Sequence, residues 1–209
     1  MDTQTTDSMD ADVLQALYAK TIYTLRESAK ELLKQHSVES VAALLEKIRC
    51  GELPEHPAYE NYLSARIIDQ MKLQVRVQAS EQLYGTTISD AKSISVHLLL
   101  KNQIEERYAQ RVAEPMRLPQ DALLLSLGNG LMIEARYFST DEYSVGWCWG
   151  EAEVRIDTAP LHVDLATFPH HLHGDDSPVA VDPASCPDDD FWVNFPRLID
   201  MFLVNPLLD

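Results

Sequence analysis

The chain has 209 residues, 45% of them hydrophobic, and a formal net charge of −16. That length fits one generous domain or two small ones, and the apolar content is enough to bury a core, which excludes disorder throughout. With 17 Lys and Arg against 33 Asp and Glu, and no basic block, stable non-specific binding to duplex DNA is excluded.

No run approaches the roughly 20 apolar residues that a membrane span needs. The start, MDTQTTDSMDADVLQ, has neither the basic region nor the apolar stretch of a signal peptide. Cys50, Cys148 and Cys186 are odd in number, widely spaced and without CxxC pairing, which argues against a disulfide framework and suits a reducing cytoplasm. A small basic site on an acidic body, or a basic partner protein, stays compatible with the charge.

The first half reads as helical. From Asp10 to about His36, Leu14, Leu17, Tyr18, Ile22, Leu25, Ala29, Leu32 and Leu33 form one stripe at three-and-four spacing. Ser37 is read as the N-cap of a second helix, and Gly51 as its left-handed C-cap. GELPEHP is a connector. A third helix is expected from about Ala58 to Leu83, with Leu63, Ile67, Met71 and Val75 in step. A fourth is expected from about Asp90, with Leu100, Ile104, Tyr108 and Val112, stopping near Pro115 and Pro119. These stripes read as the core of a small bundle, or as a dimerisation or partner-docking arm.

After Pro119 the period changes from helical to alternating. ALLLSL and LMIEARYF flank Gly128-Asn129-Gly130, a hairpin signal. Tyr143, Val145, Trp147 and Trp149 then alternate with small residues, and Val154 and Ile156 alternate with Arg155 and Asp157. The links are too short for crossover helices, so the strands form an antiparallel meander. FPRLIDMFLVNP closes the chain as a short helix. The expected fold is α+β: N-terminal helices over 1–117, then over 118–209 a four-stranded antiparallel meander and a C-terminal helix.

The chemistry concentrates between Arg155 and His173, RIDTAPLHVDLATFPHHLH. A strand period of two puts Arg155 and Asp157 on one face. Within sixteen residues of Asp157 the chain delivers His162, Asp164, His170, His171 and His173. Three readings fit this block. In acid–base chemistry on a phosphodiester, two histidines move protons and Arg155 stabilises phosphoryl charge. In a metal site, His171-x-His173 joins Asp157 or Asp164 in an N/O set for Zn, Mn or Ni; HxH is a weak signal, since the two rings point the same way only in an extended segment. In a structural reading, the histidines bond buried carbonyls in a proline-stiffened segment.

RIDTAPLH followed by TFPHHLH resembles the two-part C-terminal signature of the TumE family of prokaryotic toxin–antitoxin proteins. Arg155, Asp157, Pro160 and His162 fall on the first stretch, and Phe168, Pro169, His170, His171 and His173 on the second. The resemblance covers roughly Leu118 to Val204. Thr158 stands where the family favours Asn, and Leu161 where it favours the first His of a pair. The resemblance implies a growth-inhibiting toxin that acts on RNA and is neutralised by a cognate, DNA-binding antitoxin.

Joined to that resemblance, the residues give a cytoplasmic toxin component and endoribonuclease. His162, His171 and His173 are the acid–base candidates, Asp157 orients a histidine, and Arg155 and His170 bind substrate. No metal ligand is assigned and no cofactor is required, although the His/Asp cluster could take a divalent metal. Partners are the antitoxin and an RNA substrate, with no membrane, and the N-terminal helices offer a homodimer contact. The alternative is a non-catalytic interaction protein whose histidine segment is structural or metal-stabilised. His56 reads as a loop residue, His97 as a packed or exposed helix residue, and Asp188, Asp189 and Asp190 as a charged cap before the last helix.

Overall fold

The computed structural model describes residues 11–85, 95–175, 177–186 and 189–208. The chain is α+β, with helices first, an antiparallel sheet, and a closing helix. The helices are α1 (Ala11–Gln35), α2 (Val41–Arg49), α3 (Glu55–Tyr84), α4 (Val96–Tyr108) and α5 (Phe191–Val204). The strands are β1 (Leu123–Ser126), β2 (Met132–Tyr137), β3 (Tyr143–Trp149), β4 (Ala152–Asp157), β5 (His171–His173) and β6 (Ala180–Val181), hydrogen-bonded in that order. Among the described residues the sheet thus has six strands where four were expected. The two added strands are short edge pieces, too brief to show a period, and β5 is fixed by pairing with β4.

Local chemistry explains the boundaries. Ser40, not Ser37, caps α2: its backbone is extended and its Oγ accepts the Ala43 N–H at 3.1 Å. Ser37 instead occupies the turn after α1 with φ +53°. Gly51 has the left-handed conformation expected of it, with φ +70°. In α3 the backbone is non-helical at His56 and Pro57, so the regular helix starts at Ala58 and its first residues form a separate, kinked entry. The fourth helix begins at Val96; its expected start at Asp90 lies outside the described residues, as does Asp188.

The sheet buries one face against α4 and α5. Leu100 and Ile104 of α4, Ile133, Val145, Trp147 and Ile156 of the strands, and Phe195, Ile199 and Phe202 of α5 are all buried in one core. Helix α4 therefore packs with the sheet rather than with the helices that precede it. Trp147 stacks on Phe202 with ring centroids 4.1 Å apart and donates its indole N–H to the Pro206 carbonyl.

The opposite face receives α3. Tyr59, Tyr62 and Leu63 pack with α2 and with Ala159, the residue two past the end of β4. Farther along, α1 lies against α3 through Leu25, Ala29 and Ile68. His97 is buried, and its Nε2 accepts the Tyr137 backbone N–H at 3.0 Å, tying α4 to β2. No helix among the described residues is long and apolar enough to cross a membrane.

Candidate metal centre

Strand pairing assembles the site. Antiparallel register sets Arg155 opposite His173 and Asp157 opposite His171. The period of two keeps all four side chains on one face, while Ile156 and Leu172 turn to the core. The segment carrying His171 and His173 is extended, which is the condition under which HxH points two imidazoles the same way. Arg155 and Asp157 do share a face: the guanidinium Nε lies 2.7 Å from Asp157 Oδ2.

Two further elements complete the cluster. His162, in the link between β4 and β5, has φ +54°, a left-handed conformation that costs a non-glycine residue about 1–2 kcal/mol. Glu55 comes from the entry to α3, more than a hundred residues upstream. The His162 Nε2 is 2.9 Å from Glu55 Oε2, and His171 Nε2 and His173 Nε2 are 2.6 and 3.1 Å from Glu55 Oε1. Asp157 meets two of the same ring tips, with Oδ1 3.1 Å from His171 Nε2 and Oδ2 3.5 Å from His173 Nε2. The three rings are splayed by 62–73° with centroids 4.7–5.9 Å apart, so their Nε2 tips converge from different directions.

Glu55, His162, His171 and His173 place one ligand atom each within 4.8 Å of one another. Ligands at about 2.0–2.2 Å from a shared zinc-like ion lie no more than ~4.4 Å apart, so a contraction of a few tenths of an ångström forms a first coordination sphere. Imidazole with carboxylate selects first-row transition ions over Mg or Ca. The tautomer fits as well. His171 Nδ1–H donates to the Pro169 carbonyl at 2.8 Å, which leaves Nε2 to face the carboxylates.

Electrostatics favour a cation here. Glu55, Asp157 and Glu60 set three carboxylates against the single guanidinium of Arg155, leaving two negative charges to be met. Without an ion, the balance falls on the imidazoles. Burial works against charge on His171, but its hydrogen bonds to Asp157 and Glu55 overcome that and push its pKa up to about 10. Burial alone would raise the Glu55 pKa; the three imidazoles prevail and hold it well below the usual carboxylate range. The site opens on one side: His162 and His173 are 31% and 20% exposed in their side chains, whereas those of His171 and Asp157 are 1% and 0%.

The remaining sequence candidates sort clearly. His162, His171, His173 and Asp157 are brought together, with Arg155 beside them. His170 is not: it is buried on the other side, its Nδ1 2.8 Å from the Tyr143 hydroxyl, and burial pulls its pKa down. Asp164 is exposed and outside the cluster, and Glu55 takes the place proposed for it. His56 is half exposed, with Nδ1 2.8 Å from Glu60. Asp189 pairs with Arg197, and Asp190 sits at the N-cap of α5 without a side-chain capping bond.

Thr158 and Leu161 both serve the fold. The Thr158 hydroxyl bonds the Tyr59 hydroxyl at 3.0 Å and accepts the Tyr143 N–H at 2.9 Å. Leu161 packs into the cluster shared by α2 and α3.

Glu55 and Glu60 escaped sequence reasoning. Glu55 lay in the segment read as a connector and Glu60 in the first turn of the expected third helix, and nothing local marks either as a partner of residues in the far half of the chain.

Fold and site together describe an α+β protein with an imidazole–carboxylate centre between a helix entry and a sheet edge. Residues 4–86 are similar to a family described as the uncharacterized protein MJ0235 family. That match includes Glu55 and Glu60 and ends before His162, His171 and His173. No curated protein and no solved structure matches the chain.

Proposed function

We propose that Glu55, His162, His171 and His173 bind one divalent transition-metal ion and that the protein is a metal-dependent hydrolase. The observation that carries this is the convergence of three imidazole Nε2 atoms on one carboxylate, all four ligand atoms within 4.8 Å. A metal-independent mechanism fits less well. In the ion-free site Asp157 and Glu55 raise the His171 pKa, and all three Nε2 tips are engaged by Glu55, which leaves none of them free to take a substrate proton. Bound to an ion, the His171 ring is neutral and its proton is gone.

In this reading the ion supplies Lewis acidity and an activated water. The Pro169 carbonyl orients His171 through Nδ1, while Asp157 faces the same Nε2 tips of His171 and His173 and would balance the charge of the ion, and Arg155, between Asp157 and Glu60, holds that carboxylate in place. Four protein ligands would fill a tetrahedral sphere, so an activated water would need a fifth position, on the side where His162 and His173 are partly exposed. The substrate is an RNA phosphodiester and the protein is the toxin of a toxin–antitoxin pair, a reading supported by RIDTAPLH and TFPHHLH. Three free cysteines suit a cytoplasmic location, and exposed Val13, Leu17 and Tyr23 on α1 suit docking of a neutralising partner.

The test combines metal analysis with induction in bacteria. The wild type should hold about one transition metal ion per chain, arrest growth and degrade RNA; His171→Ala should do none of these. Wild-type protein without bound metal, or with metal but without any effect on growth or RNA, would sink the corresponding half of the reading.

A further inference from the structure

Among the described residues, five buried side-chain atoms make no hydrogen bond to the protein: Glu60 Oε2, Gln103 Oε1, the Tyr137 hydroxyl, His170 Nε2 and Asp182 Oδ2. The last three share one place, on the α5 side of the sheet. Tyr137 and Tyr143 are register partners on β2 and β3, and their rings stack with centroids 4.7 Å apart and planes 16° from parallel. The Tyr143 hydroxyl donates to Ser185 Oγ at 2.8 Å and lies 2.8 Å from His170 Nδ1.

The backbone closes the group. The Ser185 and Ala184 N–H groups donate to Asp182 Oδ1 at 3.0 and 2.8 Å. The Thr167 hydroxyl donates to the His170 carbonyl at 2.7 Å and accepts the Asp182 N–H at 3.1 Å. Tyr137, His170 and Asp182 are 2%, 1% and 4% exposed, so bulk solvent does not serve their free atoms.

Each free atom has a definite character. Burial first, then Tyr143 and the charge of Asp182, holds the Tyr137 pKa well above its usual value, so its hydroxyl keeps a hydrogen to donate. The one hydrogen of the Tyr143 hydroxyl goes to Ser185, so His170 Nδ1 supplies the hydrogen of the bond between them. In the neutral ring that burial favours, Nε2 is then left with a lone pair. Asp182 Oδ2, a carboxylate oxygen, accepts.

One donor and two acceptors therefore remain, and buried polar atoms left unmet are costly. Water is the small molecule with the complementary set, accepting one hydrogen bond while donating two. A monovalent cation would answer the charge of Asp182 but leave the Tyr137 hydrogen without an acceptor. We propose that one buried water molecule bridges these three side chains, accepting from Tyr137 and donating to His170 Nε2 and Asp182 Oδ2. Internal waters with about three such partners are structural parts of a fold. This one joins β2 to the residue before β5 and the residue after β6, across two intervening strands. It helps pin the short edge that carries His171 and His173, and it stands whether or not an ion binds there.

The experiment pairs a crystal structure of the full chain with thermal unfolding of Tyr137→Phe. The wild type should show one water at about 2.7–3.2 Å from all three atoms. Unfolding gives a test of sign. Deleting a buried hydroxyl that bonds nothing relieves its burial and leaves Tm equal or higher, whereas deleting one that holds a water breaks a network. Tyr137→Phe should therefore lower Tm by about 2–4 °C.

An unchanged or raised Tm overturns the proposal. So does wild-type density that is empty between the three atoms, that refines as a cation, or that shows the Tyr137 hydroxyl bonded directly to His170 or Asp182.

Discussion

The Nδ1–H of His171 is bound to the carbonyl of Pro169, 2.8 Å away, while its Nε2 lies 2.6 Å from Glu55. One bond fixes the ring and its tautomer; the other marks where a cation belongs. In the ion-free protein Nε2 must carry a proton to bond the carboxylates, and that proton is held up to a pKa of about 10. Metal binding must therefore expel it. Zinc affinity should rise about tenfold per pH unit between pH 6 and 9, with about one proton released. Calorimetry in two buffers of different ionisation enthalpy measures the release, and pH-independent uptake would contradict the assignment.

His162 gives a prediction that separates ligand loss from backbone strain. Its φ of +54° suits glycine better than any side chain. His162→Gly and His162→Ala should both lower metal affinity by an order of magnitude or more. In the metal-free state the glycine variant should be more stable than the alanine variant by about 1 kcal/mol, because only alanine keeps the strain. Urea unfolding of the two variants checks the order.

A third prediction concerns acid stability. Burial pulls the His97 pKa from 6.5 to about 4, and the neutral ring accepts the Tyr137 N–H. Because the folded pKa is depressed, the unfolded chain binds more protons between pH 4 and 6.5. The contribution is present above pH 6.5 and is lost as pH falls toward 4, up to about 3 kcal/mol. His97→Gln should flatten that part of the stability–pH curve relative to wild type. Parallel curves for the two proteins would refute the claim.

Thr158 should matter for stability and not for metal. Thr158→Val leaves the buried Tyr59 hydroxyl and the Tyr143 N–H without their shared partner, at a cost of about 1–3 kcal/mol. Denaturant midpoints should fall while zinc stoichiometry holds. A loss of metal without loss of stability would place Thr158 in the site after all.

Much of this was legible in the residues. The helical stripes, the hairpin at Asn129-Gly130 and the common face of Arg155 and Asp157 follow from period and turn chemistry, because those signals are local. Five of the six site candidates on the C-terminal block come together, and only His170 does not. His170 was indistinguishable from its neighbours: only the short β5, registered by β4, decides that His171 and His173 face the site while the residue before them turns to Tyr143. Glu55 and Glu60 were invisible because their partners are about a hundred residues away. Their placement depends on the docking of α3 against the sheet through Tyr59 and Thr158, and no spacing encodes that.

The division of the ligands between α3 and the sheet has a mechanical consequence. The imidazoles stand on β5 and the link that precedes it, and Glu55 and Glu60 on the entry to α3, so ion capture and closure of that seam would be the same event. An ion held here would act as a rivet across that seam. A partner that levers the entry of α3 away by a single helical turn would withdraw Glu55 and Glu60 together, switching the protein off without touching a histidine.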